Sequence, residues 1–324
     1  MDKTVAFNTI DLSKGWYPLD ILYKDDIPLL YLKRLSEAEP HNNKDKDSNT
    51  PFFKMEFETD SEACFVPLDT IEIEGELTIS RPIYFIYHAS RCGSTLCTQM
   101  LRKIPNVRVF SEPLGLTQVF SSPKPVSNDL LKLRLKKVVK LLDIAVPDEY
   151  QHLVVKWGSW ATLMWKLIND TTQPKATSFI WRDPVEIASS LLKKTPKWYD
   201  ASELNQIFQR YAPDFLPAQV AADTESLARL LAATLKAGCD MPNETLLLNY
   251  KNIPNGIIDD LCPHFGFELS VEAKQQMIDA SKYDAKEGSN VVFKPDSELK
   301  QNHAPNDVKY FINKYAAQYV KQLN

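Results

Sequence analysis

The chain has 324 residues, 44% of them hydrophobic and 25% charged, with a formal net charge of −4. That length and composition allow a large buried core without disulfides and describe an ordinary globular protein. The acidic balance speaks against a general nucleic-acid binder, and the sequence contains no run of transmembrane length and no apolar signal core at its start. Five cysteines, Cys64, Cys92, Cys97, Cys239 and Cys262, lie scattered without metal-ligand spacing. Reduced thiols and a cytoplasmic location are the simplest expectation.

Residues 1–80 read as a small strand-rich N-terminal extension. Ile21–Tyr23 and Pro28–Leu32 are short apolar pieces, and His41–Thr50 is polar throughout, an exposed loop. Phe52–Phe57 and Thr70–Ile79 are candidate strands. No chemistry is evident there, and packing against the main sheet is the preferred role.

From Arg81 to the end the pattern changes to alternating strands and helices. Strands are expected at 82–87, 107–110, 153–157, 177–181 and 245–250. Helices are expected at 94–104, 128–143, 159–168, from Pro184 onward, and at 203–210, 224–238, 255–265 and 271–281. Asp183 suits a helix cap and Pro184 a first helical position. Short apolar strands separated by helices predict an α/β domain, a central parallel sheet with helices on both faces. Ligands of such sheets bind beyond the carboxyl ends of the strands.

Four strand ends carry distinctive groups: the loop with Arg91, Cys92, Gly93, Ser94 and Thr95; then Ser111-Glu112; then Lys156; then Arg182. A strand, a tight loop and a helix start make an anion site, because backbone N–H groups converge there and the helix dipole favours negative charge. Three cations and one carboxylate at a common rim suit a polyanionic ligand and a proton acceptor. The loop lacks the lysine that precedes the hydroxyl pair of a Walker A sequence, since Gly93 directly precedes Ser94. That weakens a phosphotransferase of nucleotide-kinase type, the alternative enzyme. A catalytically inactive nucleotide-binding protein on the same fold is the alternative outside enzymes.

His88-Ala-Ser-Arg-Cys-Gly-Ser-Thr-Leu96 resembles the 5′-phosphosulfate loop of sulfotransferases, and Phe179-Ile-Trp-Arg-Asp-Pro-Val-Glu-Ile-Ala-Ser-Ser190 resembles their 3′-phosphate motif, with Arg182 and Ser190 at the family's spacing. Leu246-Leu-Leu-Asn-Tyr-Lys-Asn-Ile253 is similar to a later family segment, with Lys251 where Glu is usual. Ala89 and Cys92 stand where the loop usually has Pro and Ser. The resemblance covers residues 82–300 and implies a P-loop nucleotide-kinase-like fold with the co-substrate 3′-phosphoadenosine 5′-phosphosulfate. It also implies in-line sulfuryl transfer to a hydroxyl or amine, with no metal expected. On it, Arg91, Cys92, Gly93, Ser94 and Thr95 hold the 5′-phosphosulfate. Arg182 and Ser190 hold the 3′-phosphate, and Lys286, in a faint Lys-x-Gly match, covers the nucleotide. Lys156 matches the family's strand-end lysine but is followed by Trp157-Gly158, not by the usual histidine. A base must come from elsewhere, and Glu112, 21 residues after Arg91, is the candidate. A turn in which Glu112 merely pairs with Arg91 or Lys156 is equally compatible with the sequence, and His88 ranks below Glu112 as base. The acceptor, a small molecule, a saccharide or a peptide, stays open. Trp198, Tyr199, Phe208, Tyr211 and Phe215 are candidate lining residues. Trp157, Trp160 and Trp165 read as core.

Overall fold

The computed structural model describes residues 3–4, 12, 15–34, 62–196, 199–283 and 297–324. Two sheets organise them. The N-terminal sheet contains β1 (Lys3–Thr4), β2 (Trp16–Lys24), β3 (Ile27–Arg34) and β4 (Glu62–Pro67) in the order β1-β4-β3-β2. β2 and β3 form an antiparallel hairpin whose two-residue turn, Asp25-Asp26, is left-handed at both positions (φ 50° and 66°). Aspartate tolerates that conformation, and two-residue turns of this hand match the twist of the strands. The hairpin extends well beyond the apolar pieces expected at 21–23 and 28–32. The strand expected at 70–79 is absent. Its place is taken by β4, followed by a turn of 3-10 helix at Leu68–Thr70 and irregular chain. Glu62–Pro67 carries only six residues and a mixed pattern, so alternation alone did not single it out. Phe52–Phe57 and His41–Thr50 lie outside the described residues.

The second sheet contains β5 (Ile83–His88), β6 (Val107–Ser111), β7 (His152–Lys156), β8 (Ala176–Trp181) and β9 (Leu246–Asn249), ordered β6-β7-β5-β8-β9. Every neighbouring pair is parallel. β5 and β6 are buried along their whole length, as a sheet covered on both faces requires. One apolar cluster lies on each face, built around Phe85, Tyr87 and Val155 on one side and Tyr84, Ile86 and Val154 on the other.

The strand order places β5 at the switch point. The chain leaves β5 for the far edge, returns to β7 on one side of β5, and then crosses to β8 on the other. The carboxyl end of β5 is therefore flanked by the ends of β7 and β8, which is where a crevice opens in such sheets. Lys156 and Arg182 come from those two flanking ends.

Helices fall close to expectation at Ser94–Leu101, Asn128–Ala145, Pro184–Lys193, Ala201–Tyr211, Thr224–Cys239 and Val271–Ser281. Asp183 caps its helix by accepting from the Val185 N–H at 2.8 Å, with Pro184 in the first turn. The segment expected as helix 159–168 is a 3-10 turn, Ser159–Met164, running into Trp165–Thr172. The segment expected at 255–265 is a π-helical turn, Ile257–Leu261, continued by Cys262–His264. The C-terminal helices Ser297–Asn302 and Asn306–Leu323 were not anticipated. The signal for the second was present, because Val308, Ile312 and Ala316 recur every four residues and all three are buried.

Among the described residues the N-terminal sheet has no core separate from that of the main domain. Trp16, Leu19, Leu30 and Leu32 belong to the same buried cluster as Leu116, Leu135 and Val138 of the main domain. The approach is close at Gly115, where a Cβ would lie 2.3 Å from the Pro18 carbonyl oxygen. Among the described residues no helix is long and apolar enough to cross a membrane.

Candidate active site

The β5 strand ends at His88, and the chain then turns through three left-handed residues, Ser90 (φ 62°), Arg91 (φ 45°) and Gly93 (φ 80°), before Ser94 opens a helix. Ala89 is pinned first, its N–H donating to the Ile180 carbonyl of β8 at 3.0 Å. The turns point the next N–H groups away from the sheet. Among the described residues no acceptor takes the N–H groups of Arg91, Cys92 or Gly93. Consecutive free N–H groups at a helix start form a concave anion cradle. Gly93 is required by space as well as by φ, since a Cβ there would meet the Tyr250 ring at 2.9 Å. Ser94 is buried and Thr95 half-buried at the same mouth.

Lys156, at the end of β7, is 2% exposed, and its Nζ donates to Glu112 Oε1 at 2.6 Å. Glu112 follows β6, and its N–H donates to the Lys156 carbonyl at 2.7 Å. Glu112 is itself left-handed (φ 53°), which is uncommon outside glycine. That kink turns its carboxylate back over the sheet edge toward Lys156. Strained non-glycine residues thus sit on both sides of the site, at Ser90-Arg91 and at Glu112. Burial by itself would raise the Glu112 carboxyl, but Lys156 and His88 outweigh it and hold it far below the ordinary carboxylate range.

His88 is 4% exposed and completes this cluster. Its Nδ1 accepts from the Ser90 N–H at 3.1 Å. An accepting Nδ1 puts the proton of the neutral ring on Nε2, which lies 3.6 Å from Glu112 Oε1 and has no hydrogen-bond partner among the described residues. His88 therefore presents a donor to Glu112. Burial opposes a charged imidazole, but contacts with Cys92 and Glu112 prevail and raise its pKa. The Cys92 thiol is wholly buried and donates to the Ile180 carbonyl at 3.2 Å. Burial would raise that thiol, yet His88 and the neighbouring N–H groups lower it. The Cys92 side chain faces inward and braces the loop from below, so its contribution to an anion site is confined to its N–H.

Arg182, just past β8, makes more internal contacts than a simple phosphate ligand would. Its Nε is bonded to Glu186 Oε2 at 2.5 Å, and both side chains are buried. Gln301 donates to the other oxygen of Glu186 at 2.7 Å. The guanidinium packs 4.0 Å from the centre of the Tyr250 ring, with Nη1 directed at the Arg91 carbonyl (3.4 Å) and Nη2 at Ser297 Oγ (3.0 Å). Glu186 thus fixes the arginine from its Nε side, and the two terminal nitrogens face the loop and the C-terminal helix pair. Neither Glu186 nor Ser297 stood out in the sequence. Glu186 carried one signal, its four-residue spacing from Arg182.

The structure therefore brings together Arg91, Cys92, Gly93, Ser94, Thr95, Glu112, Lys156 and Arg182. Arg91 is half-buried, and its Nη2 donates to the Lys194 carbonyl at 3.0 Å. Burial lowers its pKa, with Glu112 acting in the opposite direction. Ser190 is half-buried on the helix after Arg182, and no described hydrogen bond ties its hydroxyl to the cluster. Ser189, its neighbour, spends its hydroxyl on the Val185 carbonyl at 2.8 Å. Lys286 and Trp198 lie outside the described residues.

A cleft of about 610 Å³ opens beside Glu112. Tyr211 lines it, together with Trp160, which was expected in the core. Tyr199 and Phe208, expected near an acceptor, are core residues, and Phe215 packs on Tyr319. Trp157 is wholly buried against Tyr87 and Phe85, as expected.

No protein-family model matches the chain, and no curated protein matches it. Among solved structures the chain is similar to a sulfotransferase of Mycobacterium avium, with a TM-score of 0.45 and 12% identity over 76% of this chain and 77% of that one. It is also similar to a sulfotransferase of Alicyclobacillus acidocaldarius, with a TM-score of 0.39 and 15% identity over 75% of this chain and 100% of that one. A sulfotransferase of Mycobacterium tuberculosis H37Rv is similar at a TM-score of 0.37 and 18% identity, over 62% of this chain and 72% of that one. At these identities and scores the likeness decides neither activity nor acceptor.

Proposed function

We propose that the protein is a sulfotransferase that uses 3′-phosphoadenosine 5′-phosphosulfate and transfers the sulfuryl group to a hydroxyl or amine. The observation that carries this reading is the anion cradle at β5, three N–H groups without acceptors among the described residues, with a buried lysine paired to a carboxylate beside it. The chain's own residues fit such a donor, because the cradle offers fixed dipoles where Gly93 leaves no room for a side chain. When bound, the donor supplies an activated sulfuryl group with a bisphosphate leaving group.

Arg91, the loop N–H groups and the hydroxyls of Ser94 and Thr95 hold the 5′-phosphosulfate. Lys156 offsets the negative charge that develops on the leaving phosphate, and preorganised cations of this kind are typically worth about 2.7–4 kcal/mol each. Arg182, held from behind by Glu186, and Ser190 take the 3′-phosphate. Glu112 receives the proton of the attacking hydroxyl at Oε1. A carboxylate held so far below its ordinary range is a weak base. Lys156 must loosen its grip as it turns to the leaving phosphate, and Glu112 then regains basicity. His88, donor toward Glu112, keeps that carboxylate oriented during the exchange. A reducing compartment, the cytoplasm, belongs to the same proposal, since the cysteines are free thiols.

Thermal unfolding with added ligand tests the reading. 3′-Phosphoadenosine 5′-phosphate is expected to raise the melting temperature far more than ATP with magnesium. A larger shift with ATP and magnesium would favour a phosphotransferase, and no shift with either would remove the donor site. Single-turnover transfer with Glu112→Gln then separates a working enzyme from an inactive binder.

A further inference from the structure

The cleft beside Glu112 is lined by two unlike sets of side chains. Phe120 and Ile207 are buried at its base, and Trp160 and Tyr211 stand half-buried above them. The two rings lie 6.0 Å apart with a tilt of 32°. The Tyr211 hydroxyl donates to the Phe120 carbonyl, which fixes the ring and uses up its proton. This set is therefore largely apolar, with the Tyr211 ring held in place.

The polar side chains stand beside Ile207 and Tyr211 on the same helix, Ala201–Tyr211. Glu203, Gln206 and Arg210 are spaced three and four residues apart, so they share a face, and all three are exposed. No described residue bonds the side chains of Glu203 or Gln206. The guanidinium of Arg210 makes a long contact, 3.5 Å, to the Phe120 carbonyl and interacts with the Tyr211 hydroxyl. Acceptors and donors are thus both offered to whatever enters.

Charge narrows the choice. Lys156 neutralises Glu112, and Glu203 and Arg210 balance one another. Nothing in the cleft rewards a polyanion or a polycation. A wholly apolar polycycle would strip water from three polar side chains and return no hydrogen bonds, which costs about 1–3 kcal/mol for each group left unpaired. A ligand with an apolar ring face and a polar edge satisfies both sets of side chains. The volume also lies in the range of small-ligand sites, about 300–1,000 Å³.

We propose that the acceptor is a neutral polyhydroxylated ring, a saccharide or glycoside. Its C–H face lies on Trp160 and Tyr211, its edge hydroxyls meet Glu203, Gln206 and Arg210, and one hydroxyl points to Glu112. The inference rests on Glu112 being the transferase base, but its test does not use the donor. The full-length protein, without nucleotide, is mixed with methyl β-D-glucopyranoside, maltose or lactose, and in parallel with estradiol, 4-nitrophenol or a tyrosine peptide. Ligand-observed saturation-transfer NMR reads binding. Transfer to the ring protons of at least one saccharide is expected, with affinity falling about tenfold in Trp160→Ala and in Gln206→Ala, about 1.4 kcal/mol each. Gln206 is exposed, so the second variant leaves folding intact if the first does not. Transfer confined to the steroid, the phenol or the peptide overturns the proposal. So does a saccharide signal that neither variant changes, or no saccharide signal at all. Failure of the donor site appears separately, as an absent bisphosphate shift with saccharide binding intact.

Discussion

The Lys156–Glu112 pair is asymmetric, and that asymmetry predicts how the two residues respond to substitution. The lysine side chain is 2% exposed while the glutamate side chain retains 39%. Glu112→Gln leaves a buried ammonium without an anion, a situation that typically costs about 3–5 kcal/mol. Lys156→Met removes the cation but leaves a carboxylate that water and the His88 donor reach. The loss is then that of one charge-assisted hydrogen bond, about 2 kcal/mol. For a domain of this size about 2–4 °C of melting temperature accompanies each kcal/mol. The lysine variant should therefore fall by roughly 6 °C and the glutamate variant by roughly twice that. The double variant should be more stable than Glu112→Gln alone, because the stranded charge is gone. Urea unfolding at neutral pH, run as a double-mutant cycle, measures all three. The acid limb gives a second check. A carboxyl whose folded pKa is depressed contributes stability above its unfolded value, about 4.3, and loses it as pH falls through the folded value. Lys156→Met should flatten that limb. Equal losses for the two single variants, or strict additivity in the double, would refute the reasoning.

Two further outcomes follow from the same cluster. Gly93→Ala places a Cβ 2.9 Å from the Tyr250 ring in a left-handed backbone. It should cost about 1–2 kcal/mol of stability, and calorimetric titration should show bisphosphate binding weakened at least about tenfold. His88 has a raised pKa, so its contribution is full below about 6.5 and is lost as pH rises through its folded value. Stability measured from pH 5 to 9 should decline on that account by at most about 1.4 kcal/mol per pH unit, and His88→Gln should remove the slope. An unchanged slope would show that Cys92 and Glu112 do not hold the imidazole as described.

Much of the main domain was legible in the residues. Parallel strands buried on both faces appear as continuous apolar runs, and all five lie within a residue of expectation. The loop from His88 to Thr95 was visible because an anion cradle needs small and polar residues between a strand and a helix. Elements with weaker local signals were missed. β4 is short and mixed in pattern, and Asn306–Leu323 hid a regular four-residue stripe inside a polar exterior. Trp160 shows the limit of periodicity. It shares near-helical spacing with Trp157 and Trp165, but it starts a 3-10 turn and faces a cleft.

Residue type and spacing by themselves determined the sheet class, the position of the anion loop and the candidate groups at four strand ends. These depend on local geometry, which a few consecutive residues encode. Pairings between strand ends are not local. That Lys156 grips Glu112, that His88 faces the same carboxylate, and that Arg182 is directed at the Arg91 carbonyl follow from the order β6-β7-β5-β8-β9, which sets distant residues side by side. The state of the loop charges was likewise decided by the tertiary fold, because burial and opposite partners act across space and leave no mark in the sequence order.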